Sequence, residues 1–267
     1  MRTLVAVALS LLVASTTAEA SPRAKAAHGH AGKHASSGKG ERAHRAPRAV
    51  EPARRGARVA AVERLPIAGQ SNGVPWGGTL HAAAELPAGE GYEIRRPSRA
   101  FGTSKTVDLV ERVVTDVREK FPDQHVLAIG DMSAEHGGAI TQHHSHQSGR
   151  DVDIGLFYNT QPANYPRDFV RATVDNLDCE ATFALISGFA RTSHEDGGAQ
   201  IIFLDFEVQG LIYDWAKDHG VDEDRLGRIF QYPHGRSSGA GLVRHFPNHD
   251  NHIHVRFKCP DADTSCR

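Results

Sequence analysis

Two stretches of the chain alternate polar and apolar residues with the period of a β-strand. Residues 151–156, DVDIGL, place both aspartates on one face and the apolar side chains on the other. Residues 252–257, HIHVRF, place two histidines and an arginine on one face in the same way. Because successive side chains of a strand point to opposite faces, each stretch has one face suited to a core and one to chemistry. The apolar composition of residues 125–129 and 200–204 predicts two further strands.

Some of the segments between these strands have apolar residues at helical spacing. In residues 105–121, valines and a phenylalanine recur three and four positions apart, which predicts an amphipathic helix packed on a core. Thr103 or Ser104 is the expected N-cap. Two further helices are predicted at residues 179–191 and 208–219.

The order of these elements indicates the fold class. Helices and strands are mixed without a regular β-α-β alternation, which favours an α+β domain. We expect a central antiparallel sheet flanked by helices. Residues 67–97 are rich in glycine and proline and predict loops and short extended pieces around this domain.

The first 64 residues lack this patterning. Residues 1–20 contain Arg2, an apolar run and Ala18-Glu19-Ala20, which together predict a signal peptide and a periplasmic or secreted protein. The apolar run is about ten residues long, short of the roughly 20 that span a bilayer, so no transmembrane segment is expected. Residues 21–64 predict a disordered basic linker, and residues 65–267 predict a single domain.

Charge divides the chain into two opposite parts. Residues 21–64 contain eleven lysines and arginines and three glutamates, whereas residues 65–267 contain nineteen basic and twenty-eight acidic residues. A basic tail beside an acidic domain could hold the protein near an anionic surface, although a solvated spacer without a partner fits equally well. We expect no nucleic-acid partner and favour a monomer. The histidines of the tail leave a metal-buffering protein as a further interpretation.

The chain has three cysteines. In an exported protein Cys259 and Cys266 could close a short loop near the C-terminus. Cys179 would then be free or paired elsewhere, and the sequence leaves this open.

The polar faces of the two alternating strands carry residues that bind metal ions. His146, Asp153 and His254 can supply two imidazole nitrogens and one carboxylate oxygen, and catalytic zinc sites use three such ligands with one open position. Histidine clusters arise by chance in a chain with seventeen histidines. The clusters at residues 143–153 and 249–254, however, each adjoin a strand whose other face is apolar. We therefore expect a zinc site on the face of the sheet. His252, on the same face as His254, and the preceding His249 are the candidate catalytic acid and base.

Two segments resemble a known family. They are GDMSAEHGGAITQHHSHQSGRDVDIG at residues 130–155 and HDNHIHVRF at residues 249–257, and residues 78–103 extend the likeness. These segments resemble the penicillin-insensitive murein endopeptidases, within a wider group of zinc peptidases that includes lysostaphin-type, D-Ala-D-Ala dipeptidase and Hedgehog-like folds. The spacing of a histidine, six residues and an aspartate, with His-x-His far downstream, is common to the wider group. The longer pattern HxSHQxGxDVDI, at residues 143–154, is specific to a much narrower group of proteins.

The resemblance implies a zinc-dependent endopeptidase that hydrolyses the D-alanyl to meso-diaminopimelyl cross-links of peptidoglycan. It implies that the zinc ligands are His146, Asp153 and His254, with His143 as a further ligand or active-site group. It also implies that His252 and His249 are the remaining active-site histidines.

Two other functions fit the same residues. A related zinc D,D-dipeptidase would act on free dipeptides in a closed pocket, whereas an endopeptidase needs an open groove for a cross-linked substrate. A non-catalytic, zinc-dependent cell-wall-binding module would need no spare bases, so His252 and His249 argue against it.

Overall fold

The computed structural model describes residues 69–267. The predicted signal peptide and basic linker, and the first four residues of the predicted domain, lie outside the described residues. No helix within residues 69–267 has the length and apolar character needed to cross a membrane.

The described residues form ten β-strands. These are β1 (Gln70–Asn72), β2 (Thr79–His81), β3 (Ala84–Glu85), β4 (Tyr92–Ile94), β5 (Phe101–Gly102), β6 (Leu127–Ile129), β7 (Asp151–Gly155), β8 (Ala199–Phe203), β9 (Val243–Arg244) and β10 (His252–Phe257). In this part of the chain six of them form the main sheet, in the order β4-β6-β7-β10-β8-β9. The four central strands are antiparallel, as predicted. The edge strand β4 pairs in parallel with β6, and the edge strand β9 pairs in parallel with β8. The sequence did not indicate either pairing.

Four α-helices accompany these strands within the described range. They are α1 (Ser104–Lys120), α2 (Cys179–Thr192), α3 (Phe206–Asp218) and α4 (Glu223–Ile229). The first three lie within two residues of their predicted bounds at each end. Thr103 caps α1, since its hydroxyl accepts a hydrogen bond of 3.0 Å from the backbone N–H of Thr106. The predicted α+β class is therefore confirmed.

The helices cover one face of the main sheet. The apolar residues Val152, Ile154, Ile253, Val255 and Phe257 of β7 and β10 are fully buried in the core with the valines of α1 and the phenylalanines of α2. Burial of such side chains contributes about 1.5–3 kcal/mol each. The alternate residues of β7 and β10 lie on the opposite face, as their pattern predicted.

The C-terminal tail is tied to this sheet. Cys259 and Cys266 form a disulfide bond, and Cys179 is the free cysteine among the three, all of which the structure describes. The buried Arg150 guanidinium donates hydrogen bonds of 3.0 Å to the Phe257 carbonyl and 2.5 Å to the Arg267 carbonyl. Because Arg150 immediately precedes β7, these contacts fix the start of the strand that carries Asp153.

Candidate metal centre

The polar face of the sheet brings three imidazoles close to one carboxylate oxygen. Asp153 of β7 pairs directly with His254 of β10 in antiparallel register. Its Oδ1 lies 3.3 Å from Nε2 of His146, 3.3 Å from Nδ1 of His254 and 3.7 Å from Nε2 of His252. Its Oδ2 lies 3.7 Å from Nδ1 of His143. Asp153 is therefore the centre of the histidine cluster.

His146 is held in an unusual backbone conformation at this centre. Its φ is +65°, which a non-glycine residue adopts at a cost of roughly 1–2 kcal/mol. Two hydrogen bonds oppose that cost: the backbone N–H donates to Oδ2 of Asp151 at 2.9 Å, and Nδ1 donates to the Met132 carbonyl at 2.8 Å. Because a carbonyl only accepts, Nδ1 bears a proton, and Nε2 is the nitrogen that faces Asp153.

A carboxylate lies behind each of two further histidines. Nε2 of His143 is 2.8 Å from Oδ2 of Asp131, and Nε2 of His254 is 3.1 Å from Oδ1 of Asp151. In both rings the other nitrogen, Nδ1, is the one that faces Asp153. Carboxylates in this position orient metal-binding histidines and raise their basicity.

Arginines keep these outer carboxylates ionised. Arg256 donates to both oxygens of Asp151, at 2.7 and 3.2 Å, and Arg99 donates to Asp131 at 2.7 Å. Burial alone raises the pKa of Asp131, but its hydrogen bonds with His143 and Arg99 hold that pKa below its usual value.

The pKa of Asp153 is depressed further. Burial raises it, but the electrostatic attraction of the surrounding histidines, chiefly His146, outweighs burial and holds the pKa well below its usual range. The central carboxylate is therefore an anion at neutral pH. A buried anion ringed by imidazoles is the electrostatic setting of a cation site.

The unpartnered atoms at the centre fit a metal ion. Within the described residues, Nε2 of His146 and Oδ1 of Asp153 are buried and have no hydrogen-bond partner. Buried polar atoms are normally paired, so such atoms need an explanation. His143, His146 and Asp153 each offer one ligand atom, and these atoms lie within 4.8 Å of one another. This group could bind a metal ion, and His254 contacts the same Asp153 oxygen.

His252 and His249 lie beside the cluster in neutral form. His252 has Nδ1 2.6 Å from Oδ1 of Asn251, and its ring stacks on Phe169 with centroids 4.8 Å apart. Burial lowers the pKa of His252 to about 3 and also lowers the pKa of His249. Nδ1 of His249 donates a hydrogen bond of 2.8 Å to the Pro247 carbonyl. The ring centroids of His249 and His252 are 4.8 Å apart. Both imidazoles therefore have an Nε2 lone pair at neutral pH.

The cluster opens into a groove of about 620 Å³, here called the histidine groove. It is lined by His143 and His254 of the cluster together with His249, His252 and aromatic and arginine side chains. Trp76 and Phe246 border it with exposed fractions of 61% and 52%. Large apolar side chains exposed at a groove are typical of a binding surface.

The fold and this groove define a class of protein: an α+β domain with a candidate metal centre on a sheet face. The family described as penicillin-insensitive murein endopeptidase matches residues 71–181, which include His143, His146 and Asp153. This match confirms the resemblance found in the sequence, and the family is one of peptidases.

Curated relatives agree with that match. A penicillin-insensitive murein endopeptidase of Pectobacterium atrosepticum is 28% identical over 215 residues, covering 76% of this chain and 70% of that protein. One from Klebsiella pneumoniae is 28% identical over 214 residues, covering 75% and 71%. One from Haemophilus influenzae is 28% identical over 219 residues, covering 75% and 65%. The identity is modest but extends over most of the chain.

Some residues of the centre were not identified from the sequence. Asp131 and Asn251 lie inside the recognised motifs, but their roles depend on contacts with His143 and His252 that only the fold creates. Phe169 lies in a segment without periodicity, and its stacking on His252 has no sequence signal.

Proposed function

We propose that this protein is a zinc-dependent endopeptidase of the periplasm or the cell exterior that hydrolyses peptide cross-links of peptidoglycan. The proposed bond joins D-alanine to meso-diaminopimelate. The observation that carries the proposal is the approach of His146, His254 and His252 to one buried oxygen of Asp153 in an open groove. The names of the relatives support peptidoglycan as the substrate class.

We propose His146, Asp153 and His254 as the ligands of the zinc ion, with His143 as a further ligand. Imidazole nitrogen and carboxylate oxygen are ligands that zinc favours. A bound zinc ion supplies Lewis acidity, which polarises the scissile carbonyl and lowers the pKa of a bound water. Asp131 and Asp151 hold the rings of His143 and His254 so that Nδ1 of each faces the centre.

His252 and His249 perform the proton transfers in this proposal. His252 is neutral because burial lowers its pKa, so Nε2 can accept a proton from the attacking water. Asn251 fixes the ring by its contact with Nδ1, and Phe169 supports its flat face. His249, whose ring lies 4.8 Å from that of His252, takes up this proton at Nε2 and donates it to the leaving amine. Peptide hydrolysis needs both transfers.

The shape of the groove favours a large substrate over a free dipeptide. The histidine groove has a volume of about 620 Å³ and is bordered by the exposed Trp76 and Phe246. An exposed border of this kind leaves room for the two peptide stems of a cross-link. The related D,D-dipeptidase activity would instead require a closed pocket.

A muropeptide profile tests the proposal. Cross-linked peptidoglycan is incubated with the purified protein, with the protein plus chelator, and with a His146→Ala variant, and the fragments are identified by mass spectrometry. We expect cross-linked dimers to become monomers with the untreated protein alone. His136→Ala serves as the matched control, because His136 is an exposed histidine outside the groove.

The possible outcomes separate the alternatives. Dimers that persist in every sample, while the wild-type protein still binds one zinc ion tightly, would point to a dipeptidase or a wall-binding module. Cleavage that continues in the presence of chelator and in the His146→Ala variant would exclude a metal-dependent reaction.

A further inference from the structure

A second cavity of about 620 Å³, here called the arginine cavity, lies between α2, α4 and the β8–β9 edge of the sheet. Its charged and polar lining includes Arg191, Arg225, Arg228, Arg244, His194 and Ser187. Among the described residues that line it there is no aspartate or glutamate. Four positive side chains therefore border one concave surface without a carboxylate among them.

The arginines of this cavity have no ion-pair partner among the described residues. Arginines elsewhere are paired, for example Arg112 with Glu195 and Arg256 with Asp151. Arg244 is instead held by backbone carbonyls, donating at 2.6 Å to Gly241 and 3.2 Å to Ser238. Arg191, Arg225 and Arg228 are exposed, so their charges are accessible to an anion in the cavity.

Ser187 provides a second, independent observation. It is only 4% exposed, and its hydroxyl is buried without a hydrogen-bond partner in the part of the chain that the structure describes. A serine inside a helix commonly bonds to the carbonyl four residues earlier, and Ser187 does not. A buried donor left unpaired is unfavourable, so a ligand in the cavity that accepts from this hydroxyl would offset a real penalty.

The arginine cavity is separate from the histidine groove. The two share no lining residue. Strand β8 contributes Gln200 to the cavity and Phe203 to the groove, but residues of α2 and α4 line only the cavity. A ligand in the cavity therefore lies on the helix side of the sheet, away from the metal centre.

We propose that the arginine cavity binds the phosphate group of a ligand. The guanidinium fork matches phosphate oxygens with two parallel hydrogen bonds, and a serine hydroxyl donates to the same kind of oxygen. Four guanidinium groups exceed what a single carboxylate would neutralise, which favours a multiply charged phosphate. The phosphate can come from a soluble molecule or from a phospholipid headgroup, and these sources share one recognition chemistry.

Calorimetric titration tests the site directly. Inorganic phosphate and pyrophosphate are titrated into the full protein in the presence of chelator, so that a metal ion in the groove does not contribute. We expect saturable binding of one ligand per chain. Arg228→Gln should weaken it about tenfold or more, since it removes a charge-assisted contact. Ser187→Ala should weaken it severalfold, and Arg167→Gln, an exposed arginine outside both cavities, should leave it unchanged.

A second arm distinguishes the sources. Sedimentation with vesicles of phosphatidylglycerol in phosphatidylcholine is compared with phosphatidylcholine alone. Phosphate binding that Arg228→Gln weakens supports a soluble ligand, and vesicle binding that the same variant weakens supports a headgroup. No binding in either arm, or binding that Arg228→Gln and Arg167→Gln affect equally, overturns the proposal. These measurements do not depend on the peptidase reaction, so either proposal can fail alone.

Discussion

The histidine groove and the arginine cavity have similar volumes, about 620 Å³ each, but opposite chemistry. In the groove, Arg96 and Arg256 are paired with Asp131 and Asp151. The buried atoms without partners there include an imidazole nitrogen and a carboxylate oxygen. In the cavity, the arginines have no carboxylate and the unpartnered atom is a hydroxyl that can donate. The difference shows that the unsatisfied atoms, and not the volume, indicate whether a site fits a cation or an anion.

The largest effect should come from removing the central carboxylate of the groove. Asp153→Asn keeps the shape but removes the anion that the histidines surround, so we expect loss of bound metal and of cross-link cleavage. Metal analysis and circular dichroism of the purified variant measure both metal content and folding. Asp168→Asn changes an exposed carboxylate in the same groove and should retain the metal. A folded Asp153→Asn protein with full metal content would disprove the role of Asp153.

His252→Ala should separate proton transfer from metal binding. His252 is neutral and is not one of the proposed ligands, so we expect metal content to stay unchanged while the cleavage rate falls about 10²–10⁴-fold. His144→Ala, an exposed histidine of the same groove, is the control. A rate close to that of the wild type would remove His252 from the mechanism.

Asp131→Asn should have a smaller effect and test the role of His143. The carboxylate of Asp131 holds Nε2 of His143 at 2.8 Å, so its loss should weaken metal binding about 10–100-fold. Competition with a chromogenic chelator measures the affinity, and Asp116→Asn on the exposed side of α1 is the control. Unchanged affinity would mean that His143 does not contribute to the metal site.

The smallest effect on either site should come from a substitution in the sheet that lies between the groove and the cavity. Ile202 of β8 is fully buried on the helix side, and Ile202→Val should lower the free energy of unfolding by about 0.5–1.5 kcal/mol. Denaturant unfolding measures this change. Metal content and phosphate binding should stay at wild-type values, and loss of either would show that one of the sites depends on core packing.

Elements with a long, regular pattern were predicted well from the sequence. Helix α1 and strand β10 have clear periods, and both lie within one residue of their predicted bounds. Helix α4 was not predicted because its seven residues bury only Leu226 and Ile229, too few for a recognisable period. The parallel edge strands β4 and β9 are two or three residues long, and their pairing depends on the fold around them.

The candidate sites were likewise predictable only where their residues follow a pattern in the sequence. The histidines of the groove are concentrated in two motifs, so their proximity could be inferred from strand faces and from the family resemblance. Asp131 and Asn251 act through contacts that need the folded chain. The arginine cavity was not foreseen at all, because its four arginines come from three elements that are far apart in the sequence: α2, α4 and β9.

Anomalous diffraction at the zinc absorption edge, from crystals of the purified protein, tests the central claim most directly. The account predicts one strong peak about 2.0–2.2 Å from Nε2 of His146, an oxygen of Asp153 and Nδ1 of His254. No peak at this position, or a peak held by other residues, would contradict the proposed metal centre and the function built on it.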